Sequence, residues 1–276
     1  MSTFDLGDDL LSEHLREVPP FRALLRATEC RLIREAGGLT PPVIDLGCGD
    51  GHFAWLAFDP PLPIGLDPDI GSLRESKRRN CQRDHVAAEG GALPFADESV
   101  NAIVANSVLE HIPILDRTLD EVYRVLRPQG RFVLTTPSDR FGKMLLMSTL
   151  LRSVGLKSAS RKYGDWFNNH SRHYHTDGIE IWRDRLMARG FRIEVSHEYF
   201  SASAHRVFDI LHYLSLPNLL TRKLTGRWVL FHDSFVQHLW HRWLSPYFNE
   251  DLPEKGAYLF IHAVKEDPTE TEEATP

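Results

Sequence analysis

Short apolar runs alternate with amphipathic segments between residues 43 and 137, and this alternation restricts the fold more than any other feature of the sequence. The runs, each typical of a buried strand, are "PVIDL", "LPIGLD", "DHVAAE", "SVNAIVANS" and "GRFVLTTP". The segments with helical periodicity between them are "HFAWLAF", "DIGSLRESKRRN" and "LDRTLDEVYRVL". Repeated β-α units form a parallel sheet with helices on both faces, which binds ligands at the carboxyl ends of its strands. We therefore predict a doubly wound, Rossmann-like α/β fold.

The rest of the chain carries fewer regular signals. An amphipathic helix is predicted in "FRALLRATECRLIREAGG" and another in "TDGIEIWRDRLMARG", and two further strands in "FRIEVSHEYF" and "AYLFIHAV". Two long interruptions, residues 138–175 and 201–253, separate these elements. We predict a single domain over residues 1–265 and a disordered acidic tail at 266–276. The predicted parts of the domain are N-terminal helices at 1–38, a core at 39–137, and the end of the sheet at 176–200 and 254–265.

Composition excludes several classes of protein. The net charge of −6 over 276 residues is not that of a nucleic-acid-binding domain, which is usually strongly basic. No apolar run reaches the ~18 residues that a membrane span needs, and the N-terminus is acidic, unlike a secretory signal. Cys30, Cys48 and Cys81 form no C-x-x-C pair and have no zinc-site spacing, so a reduced, cytoplasmic location is expected.

The stretch "VIDLGCGDG" places three glycines at alternate positions directly after the first predicted strand. A triphosphate loop would need Lys and Ser or Thr after its last glycine, and neither follows Gly51. A dinucleotide loop needs a third small residue where His52 stands. The remaining ligand is a nucleoside without a pyrophosphate. Asp67, 20 residues after Gly47, stands where a carboxylate accepts hydrogen bonds from ribose hydroxyls, although it could instead begin the next helix.

Four ordered segments together resemble a known family. "VIDLGCGDG", "GLDPD", "AAEGGALPFADESVNAIVANSVLEHI" and "LDEVYRVLRPQGRFVLTTP" are similar to the class I S-adenosylmethionine-dependent methyltransferases, in the branch of quinone-biosynthesis and other small-molecule enzymes. The resemblance covers residues 40–137 and, more loosely, 176–200. It implies a seven-stranded sheet whose last strand, "AYLFIHAV", is antiparallel. It also implies S-adenosyl-L-methionine as cofactor and S-adenosyl-L-homocysteine as product.

The resemblance also implies which residues bind the cofactor. The glycine loop would lie against the methionine portion, Asp67 would bind the ribose, and Glu89, where the family has Asp, would face the adenine amino group beside the Gly90 amide. Asn106 ends the fourth strand, close to where the methyl group would be presented. Cys48 lies within the loop, where we expect it mainly to fill space, and Pro68 follows the ribose-binding acid. The complete predicted cofactor set is Asp45, Gly47, Cys48, Gly49, Gly51, Asp67, Pro68, Glu89, Gly90 and Asn106.

A phenol-like acceptor also has to lose a proton, and histidine suits that role near neutral pH. Three histidines close to predicted strand ends are the candidates: His111, His170 and His173. In the related quinone O-methyltransferases a Glu-His pair is associated with a divalent metal, and Glu110 with His111 matches that pair. Ser107 stands where a further acidic ligand would be, so no metal is predicted.

The interruptions carry the information about the acceptor. Residues 138–175 have seven basic and two acidic residues, a net charge of +5, and "FGKMLLMSTLLRSVGLK" predicts one helical stripe. Its members are Phe141, Met144, Leu145, Met147 or Leu151, and Val154. We expect the two interruptions to form a helical cap over the acceptor pocket. Their apolar side chains either seal the cap against the rest of the protein or form a lid over a hydrophobic, lipid-like acceptor. In the second case the cap would also make peripheral contact with a membrane.

Other functions remain open at this point. A cofactor-binding module without catalysis would keep the same glycine loop and Asp67. A nucleic-acid methyltransferase would carry an "NPPY"-type motif where "ANSVLE" stands. A nicotinamide dehydrogenase is disfavoured by His52. The oligomeric state is not indicated by any pattern in the sequence.

Overall fold

The computed structural model of the chain describes residues 10–226, 228–229 and 234–267. Most of the acidic tail that we predict to be disordered, residues 268–276, lies outside this part. The chain forms two compact units. The insertion unit comprises Met1–Glu35, Phe141–Phe167 and Glu198–Ala257, and the sheet unit comprises Ala36–Arg140, Asn168–His197 and Tyr258–Pro276. The predicted single domain stays a prediction.

The sheet unit is built around seven strands in the spatial order β3-β2-β1-β4-β5-β7-β6. Their bounds are β1 Val43–Leu46, β2 Leu62–Asp67, β3 Gln82–Ala87, β4 Val100–Asn106, β5 Leu126–Pro137, β6 Phe191–Tyr199 and β7 Tyr258–Lys265. The first five strands pair in parallel, whereas β7 runs antiparallel to β5, with Phe132 opposite Ala263 and Pro137 opposite Tyr258. The predicted seven-stranded sheet with its antiparallel last strand, "AYLFIHAV", is confirmed.

Four helices accompany these strands: α3 His52–Ala57, α4 Ile70–Arg79, α5 Leu115–Val125 and α9 Ile179–Met187. On α5, Leu115, Leu119 and Val122 recur at helical spacing and are buried, because this face packs into the core of the sheet unit. That core also contains Trp182 from α9 and Phe132 from the centre of β5. Burial on both sides of the sheet explains why the central strands consist of nearly continuous apolar residues.

The carboxyl ends of β1, β2, β3 and β4 lie side by side at one edge of the sheet. Leu46 pairs with Leu66, Asp67 pairs with Ala87, and Asp45 pairs with Val104. In a parallel sheet, residues that follow neighbouring strands therefore meet at one edge. The glycine loop, Asp67 and the segments after Ala87 and Asn106 are brought together in this way.

The insertion unit is helical. Its elements are α1 Leu10–Glu17, α2 Pro20–Ala36, α6 Phe141–Met144, α7 Leu146–Ser153, α8 Lys157–His170, α10 Ala202–Leu214, α11 Leu216–Thr225 and α12 Ser234–Phe248, of which α2 and α8 extend by a few residues beyond the unit. Aromatic rings fill its interior, with Phe141 packed on His205 and Phe167, and Phe21 packed on Phe208. Residues 141–167 and 201–253 of the two interruptions thus belong to the same unit as the N-terminal helices, whereas residues 168–175 belong to the sheet unit.

The single helical stripe predicted for residues 141–157 is wrong. The α6 helix ends at Met144 and α7 begins at Leu146. The Leu146 backbone N–H donates a hydrogen bond to the Asp209 carboxylate at 2.9 Å. Because the helix direction changes at Leu145, Phe141 and Leu145 are buried while Met147 and Val154 are exposed. Of the described helices, none combines the length and apolar character needed to cross a bilayer.

Candidate functional site

The glycine loop turns sharply where β1 ends. Gly47 has φ +71°, and a Cβ atom there would lie 2.5 Å from both methyl carbons of Val108. A larger residue would therefore need a strained backbone and would displace Val108. The amides of Gly47 and Cys48 both donate to the Leu66 carbonyl, at 2.7 and 3.0 Å, which fastens the loop to β2.

Asp67, at the end of β2, is held in place by two backbone hydrogen bonds. Its Oδ2 accepts from the Gly49 amide and its Oδ1 accepts from the Asp69 amide, each at 2.9 Å. The alternative role for Asp67, as the residue that caps the next helix, belongs instead to Asp69, which accepts from Ser72 at the start of α4. Each Asp67 oxygen has a second lone pair for a ligand hydroxyl.

A cavity of about 650 Å³ opens at this edge of the sheet. Of the predicted cofactor residues, it is lined by Gly47, Asp67, Pro68, Glu89 and Gly90. The volume suits a ligand of nucleoside size or larger, and the wall combines carboxylates with glycines that let a ligand approach the backbone. A Cβ on Gly90 would lie 2.9 Å from a Thr118 carbon, so this side of the cavity also depends on glycine. The residues present therefore fit S-adenosyl-L-methionine.

The turn that carries Glu89 and Gly90 is fixed from α5. Arg124 donates to the carbonyls of Leu93 and Phe95, at 3.0 and 2.8 Å, and Glu121 accepts from the Leu93 amide at 2.7 Å. The Arg124 guanidinium hydrogen bond lowers the pKa of Glu121, so the pair stays ionised. The "LPF" segment after Glu89 is thus a fixed support for this wall of the cavity.

The other predicted cofactor residues are not among those that line the cavity. They are Asp45, Cys48, Gly49, Gly51 and Asn106. Asp45 is buried and accepts from Gln82 Nε2 at 2.8 Å, while Asn106 Oδ1 accepts from the Thr135 hydroxyl at 2.8 Å. Burial raises the pKa of the Cys48 thiol, which leaves it protonated and unreactive. Asp45 and Asn106 thus join neighbouring strands through buried hydrogen bonds.

Sequence reasoning missed part of the wall. After β4 and at the start of α5 the cavity is lined by Ser107, Val108, Ile112, Pro113, Ile114, Arg117 and Thr118, and elsewhere by Leu46, Leu66, Gly91 and Ala92. The position of "SVLEHIPI" directly after a strand end was the signal that could have identified the first group. Most of these side chains are apolar, so the cavity has a hydrophobic portion beside its carboxylates.

His111 lines the cavity and is oriented by the segment at residues 172–175. The His111 Nδ1 lies 3.1 Å from the Arg172 carbonyl oxygen. Because a carbonyl can only accept a hydrogen bond, Nδ1 carries the proton and donates it. The lone pair of the neutral imidazole is therefore on Nε2. In return, the Tyr174 amide donates to the Glu110 carbonyl at 2.7 Å and His175 Nε2 donates to the Ile112 carbonyl at 3.0 Å. Residues 110–112 and 172–175, which are far apart in the sequence, are thus joined by several hydrogen bonds.

This pairing brings His173 beside His111, with ring centroids 5.3 Å apart. Burial, with a smaller contribution from His111, lowers the pKa of His173 to about 3, so its ring is neutral at physiological pH. Candidate ligand atoms of Glu110, His111 and His173 all lie within 4.8 Å of one another, a set that could hold a divalent metal ion. His170, at the exposed end of α8, is not in this group.

The strand order, the glycine loop and the carboxylates at the strand ends are together typical of the fold of S-adenosylmethionine-dependent methyltransferases. Residues 44–134 match the family described as "Methyltransferase domain". Residues 44–134 are therefore similar to a methyltransferase domain, in agreement with the resemblance seen in the sequence.

Two relatives show the extent of the sequence similarity. A malonyl-[acyl-carrier protein] O-methyltransferase of Methylococcus capsulatus is 38% identical over 110 residues, which cover 38% of this chain and 40% of the relative. A demethylmenaquinone methyltransferase of Renibacterium salmoninarum is 29% identical over 159 residues, which cover 56% of this chain and 66% of the relative. The chain thus spans between two fifths and two thirds of the length of these relatives.

Two solved structures share the fold. A SAM-dependent methyltransferase of Thermotoga maritima has a TM-score of 0.52 at 16% identity, covering 92% of this chain and 91% of that one. A geranyl diphosphate methyltransferase, in complex with GPP and sinefungin, has a TM-score of 0.54 at 15% identity, covering 86% and 78% of the two chains. At such identities the likeness shows the fold alone.

Removing the Asp67 carboxylate should weaken cofactor binding. We expect Asp67→Ala to reduce the affinity for S-adenosyl-L-methionine by about 1.5–3 kcal/mol, because a charge-assisted hydrogen-bond pair is lost. Titration calorimetry measures this change. The control is Asp69→Ala, which removes the cap of α4 without touching the cavity wall. Equal losses of affinity in the two folded variants would contradict the role assigned to Asp67.

Asp45 should make stability depend on pH. Burial raises its pKa to about 7, whereas an unfolded chain has an aspartate pKa of about 4. The folded protein therefore holds this proton more tightly, and Asp45 lowers the free energy of unfolding as pH rises from about 4 to about 7. Asp45→Asn keeps an acceptor for Gln82 and cannot ionise. The free energy of unfolding of Asp45→Asn, taken relative to that of the parent, should be about 1–3 kcal/mol higher at pH 8 than at pH 5.

Urea unfolding at both pH values measures the Asp45 effect. Asp84→Asn, at an exposed position of β3, is the control and should show the same difference from the parent at both pH values. A pH-independent effect of Asp45→Asn would show that Asp45 is not protonated in the folded protein.

Proposed function

We propose that the protein transfers a methyl group from S-adenosyl-L-methionine to a small hydrophobic acceptor, at the cavity of the sheet unit. One observation carries the proposal: the same cavity is lined by the Asp67 and Glu89 carboxylates, by apolar Val108 and Ile112, and by His111. Carboxylates suit the nucleoside of the cofactor, apolar side chains suit an uncharged acceptor, and an imidazole suits proton removal.

The residues of the cavity would bind and orient the two reactants. Asp67 would accept hydrogen bonds from the ribose hydroxyls, while Glu89 and the Gly90 amide would face the adenine ring. Gly47 would leave room for the methionine portion beside the loop. When bound, the cofactor supplies a methyl group on a positively charged sulfur, which is already activated for transfer. The main contribution of the protein is then to hold the acceptor in line with that methyl group.

His111 is the proposed general base. Its Nδ1–H is donated to the Arg172 carbonyl, which leaves Nε2, 3.8 Å from Glu110 Oε1, as the basic nitrogen. The His111 side chain lies in the cavity wall. His173 is proposed as a positioning residue that acts through His111, because its ring packs against His111 and stays neutral. His170 is the weakest of the three candidates, since it is exposed at the end of α8.

The proposed acceptor is hydrophobic, such as a phenol or quinone with an apolar substituent. The apolar part of the cavity, formed by Val108, Ile112, Pro113 and Ile114, supports this choice. The name of the demethylmenaquinone methyltransferase adds weaker support, because it denotes a quinone-type acceptor. We also propose a cytoplasmic location. The three cysteines support it, because all of them are free thiols and buried.

The proposal predicts a specific loss in His111→Asn. With a panel of alkylated and prenylated phenols as acceptors, kcat should fall roughly 10²- to 10⁴-fold, because proton removal is lost. The affinity for the cofactor should stay within about twofold. Acceptors already ionised at the assay pH need no base and should react at nearly the parent rate. His170→Asn is the control and should leave kcat unchanged.

Two outcomes would contradict this assignment. A uniform loss across neutral and ionised acceptors would show that His111 positions the acceptor and does not remove its proton. Cofactor binding without turnover of any acceptor in the panel would favour a non-catalytic module instead.

We also propose that transfer needs no metal ion, although Glu110, His111 and His173 could geometrically hold one. Dialysis against EDTA should leave kcat unchanged within about twofold, because an imidazole base acts without a Lewis acid. Loss of activity on chelation, followed by recovery with Mg²⁺, Mn²⁺ or Zn²⁺, would reassign the three residues as a metal site. Glu110→Gln would then abolish the recovery.

A further inference from the structure

The turn between α7 and α8 forms an exposed apolar tip on the insertion unit. Met147, Leu150 and Val154 recur at helical spacing on one face of α7 and its last turn, and are 45%, 51% and 71% exposed. Leu156, just before α8, is 54% exposed. Gly155 makes the turn at φ +82°, and a Cβ atom there would find nothing within 4 Å. The tip therefore projects from its surroundings.

Four exposed cations lie within or close to this tip along the chain: Arg152, Lys157, Arg161 and Lys162. In the described part of the chain none of them takes part in a salt bridge. Elsewhere arginines are commonly paired, as Arg124 is with Asp97 at 2.7 Å and Arg189 with Asp116 at 2.9 Å. Asp165 is the sole acidic residue between Phe141 and Phe167. The region is thus strongly basic on a chain whose net charge is −6.

Small and polar residues make the contacts between α8 and the helices α6 and α7. Ser148 and Ser160 each donate a hydroxyl hydrogen bond to the other's backbone carbonyl, at 3.3 and 2.8 Å. Gly164 and Gly142 pack backbone against backbone, with an added Cβ on either only 3.0–3.2 Å from the other. The contacts of Ser148 and Ser160 do not involve Met147, Leu150, Val154 or Leu156, whose side chains remain exposed.

We propose that this tip, together with its four cations, docks the protein on an anionic lipid bilayer. The aliphatic side chains would enter the boundary between headgroups and acyl chains, and the cations would contact lipid phosphates. Protein interfaces are usually depleted in lysine and rich in aromatic residues, whereas aliphatic residues ringed by lysine and arginine suit a lipid surface. The surface shares no residue with the cavity, so docking is separable from methyl transfer.

Vesicle co-sedimentation tests the proposal, using phosphatidylcholine vesicles with and without roughly 30 mol% phosphatidylglycerol. The parent protein should bind the anionic vesicles at least ~10-fold more tightly than the neutral ones, and less tightly in ~0.5 M salt. A variant with Arg152→Gln, Lys157→Gln, Arg161→Gln and Lys162→Gln should lose about 100-fold or more in affinity. Val154→Ser with Leu156→Ser should remove the binding that persists at high salt.

The matched control changes the net charge equally at another exposed site. It carries Arg74→Gln, Lys77→Gln, Arg78→Gln and Arg83→Gln, on α4 and β3, and should bind within about threefold of the parent. Equal losses in the two quadruple variants, or no binding by the parent, would overturn the proposal. Equal affinity for immobilised polyglutamate and for vesicles would instead assign the surface to an acidic protein partner.

Calorimetry with S-adenosyl-L-methionine on the same variants separates this proposal from the proposed function. Cofactor affinity should be unchanged in all of them, since every substituted residue is exposed and outside the cavity. Failure of docking with intact cofactor binding would therefore leave methyl transfer untouched.

Discussion

The hydrogen bond from the Gly49 amide to the Asp67 carboxylate is the interaction on which the site depends. It joins the loop after β1 to the end of β2, and the amides of Gly47 and Cys48 add two further bonds to Leu66. A charged acceptor makes this bond stronger than one between neutral groups. The same carboxylate also faces the cavity. One side chain therefore shapes the loop and presents the group that the proposed cofactor would bind, so loop geometry and ligand recognition would be coupled.

Among residues that do not line the cavity, polar groups are buried in pairs. Asp45 accepts from Gln82, and Gln82 in turn accepts from the Ser76 hydroxyl at 2.6 Å, which links β1, β3 and α4. Asn106 and Thr135 form a similar pair between β4 and β5. Buried polar groups cost free energy unless they are hydrogen-bonded, so these pairs fix the strand ends in one arrangement. The raised pKa of Asp45 shows that this fixation is obtained at some expense in stability at neutral pH.

Some parts of the protein could be read directly from local patterns. Alternating apolar runs predicted the order of strands and helices because burial on both faces of a parallel sheet requires apolar residues at nearly every strand position. The positions of Gly47 and Asp67 followed from spacing, since a turn between strand and helix has few conformations. The cap of α4 was harder to locate, because Asp67 and Asp69 are both suited to a helix start and only the backbone direction selects Asp69.

The sequence by itself determined the α/β architecture, the glycine loop and the acid that ends β2, because each depends on residues close together in the chain. Tertiary structure alone decided that residues 172–175 bind to the segment of His111, since those contacts join distant parts of the chain through backbone carbonyls. It also decided which side chains of residues 141–157 face the solvent. There the Asp209 carboxylate accepts from Leu146 and starts a new helix, and this change of direction exposes the residues that helical periodicity had placed with Phe141.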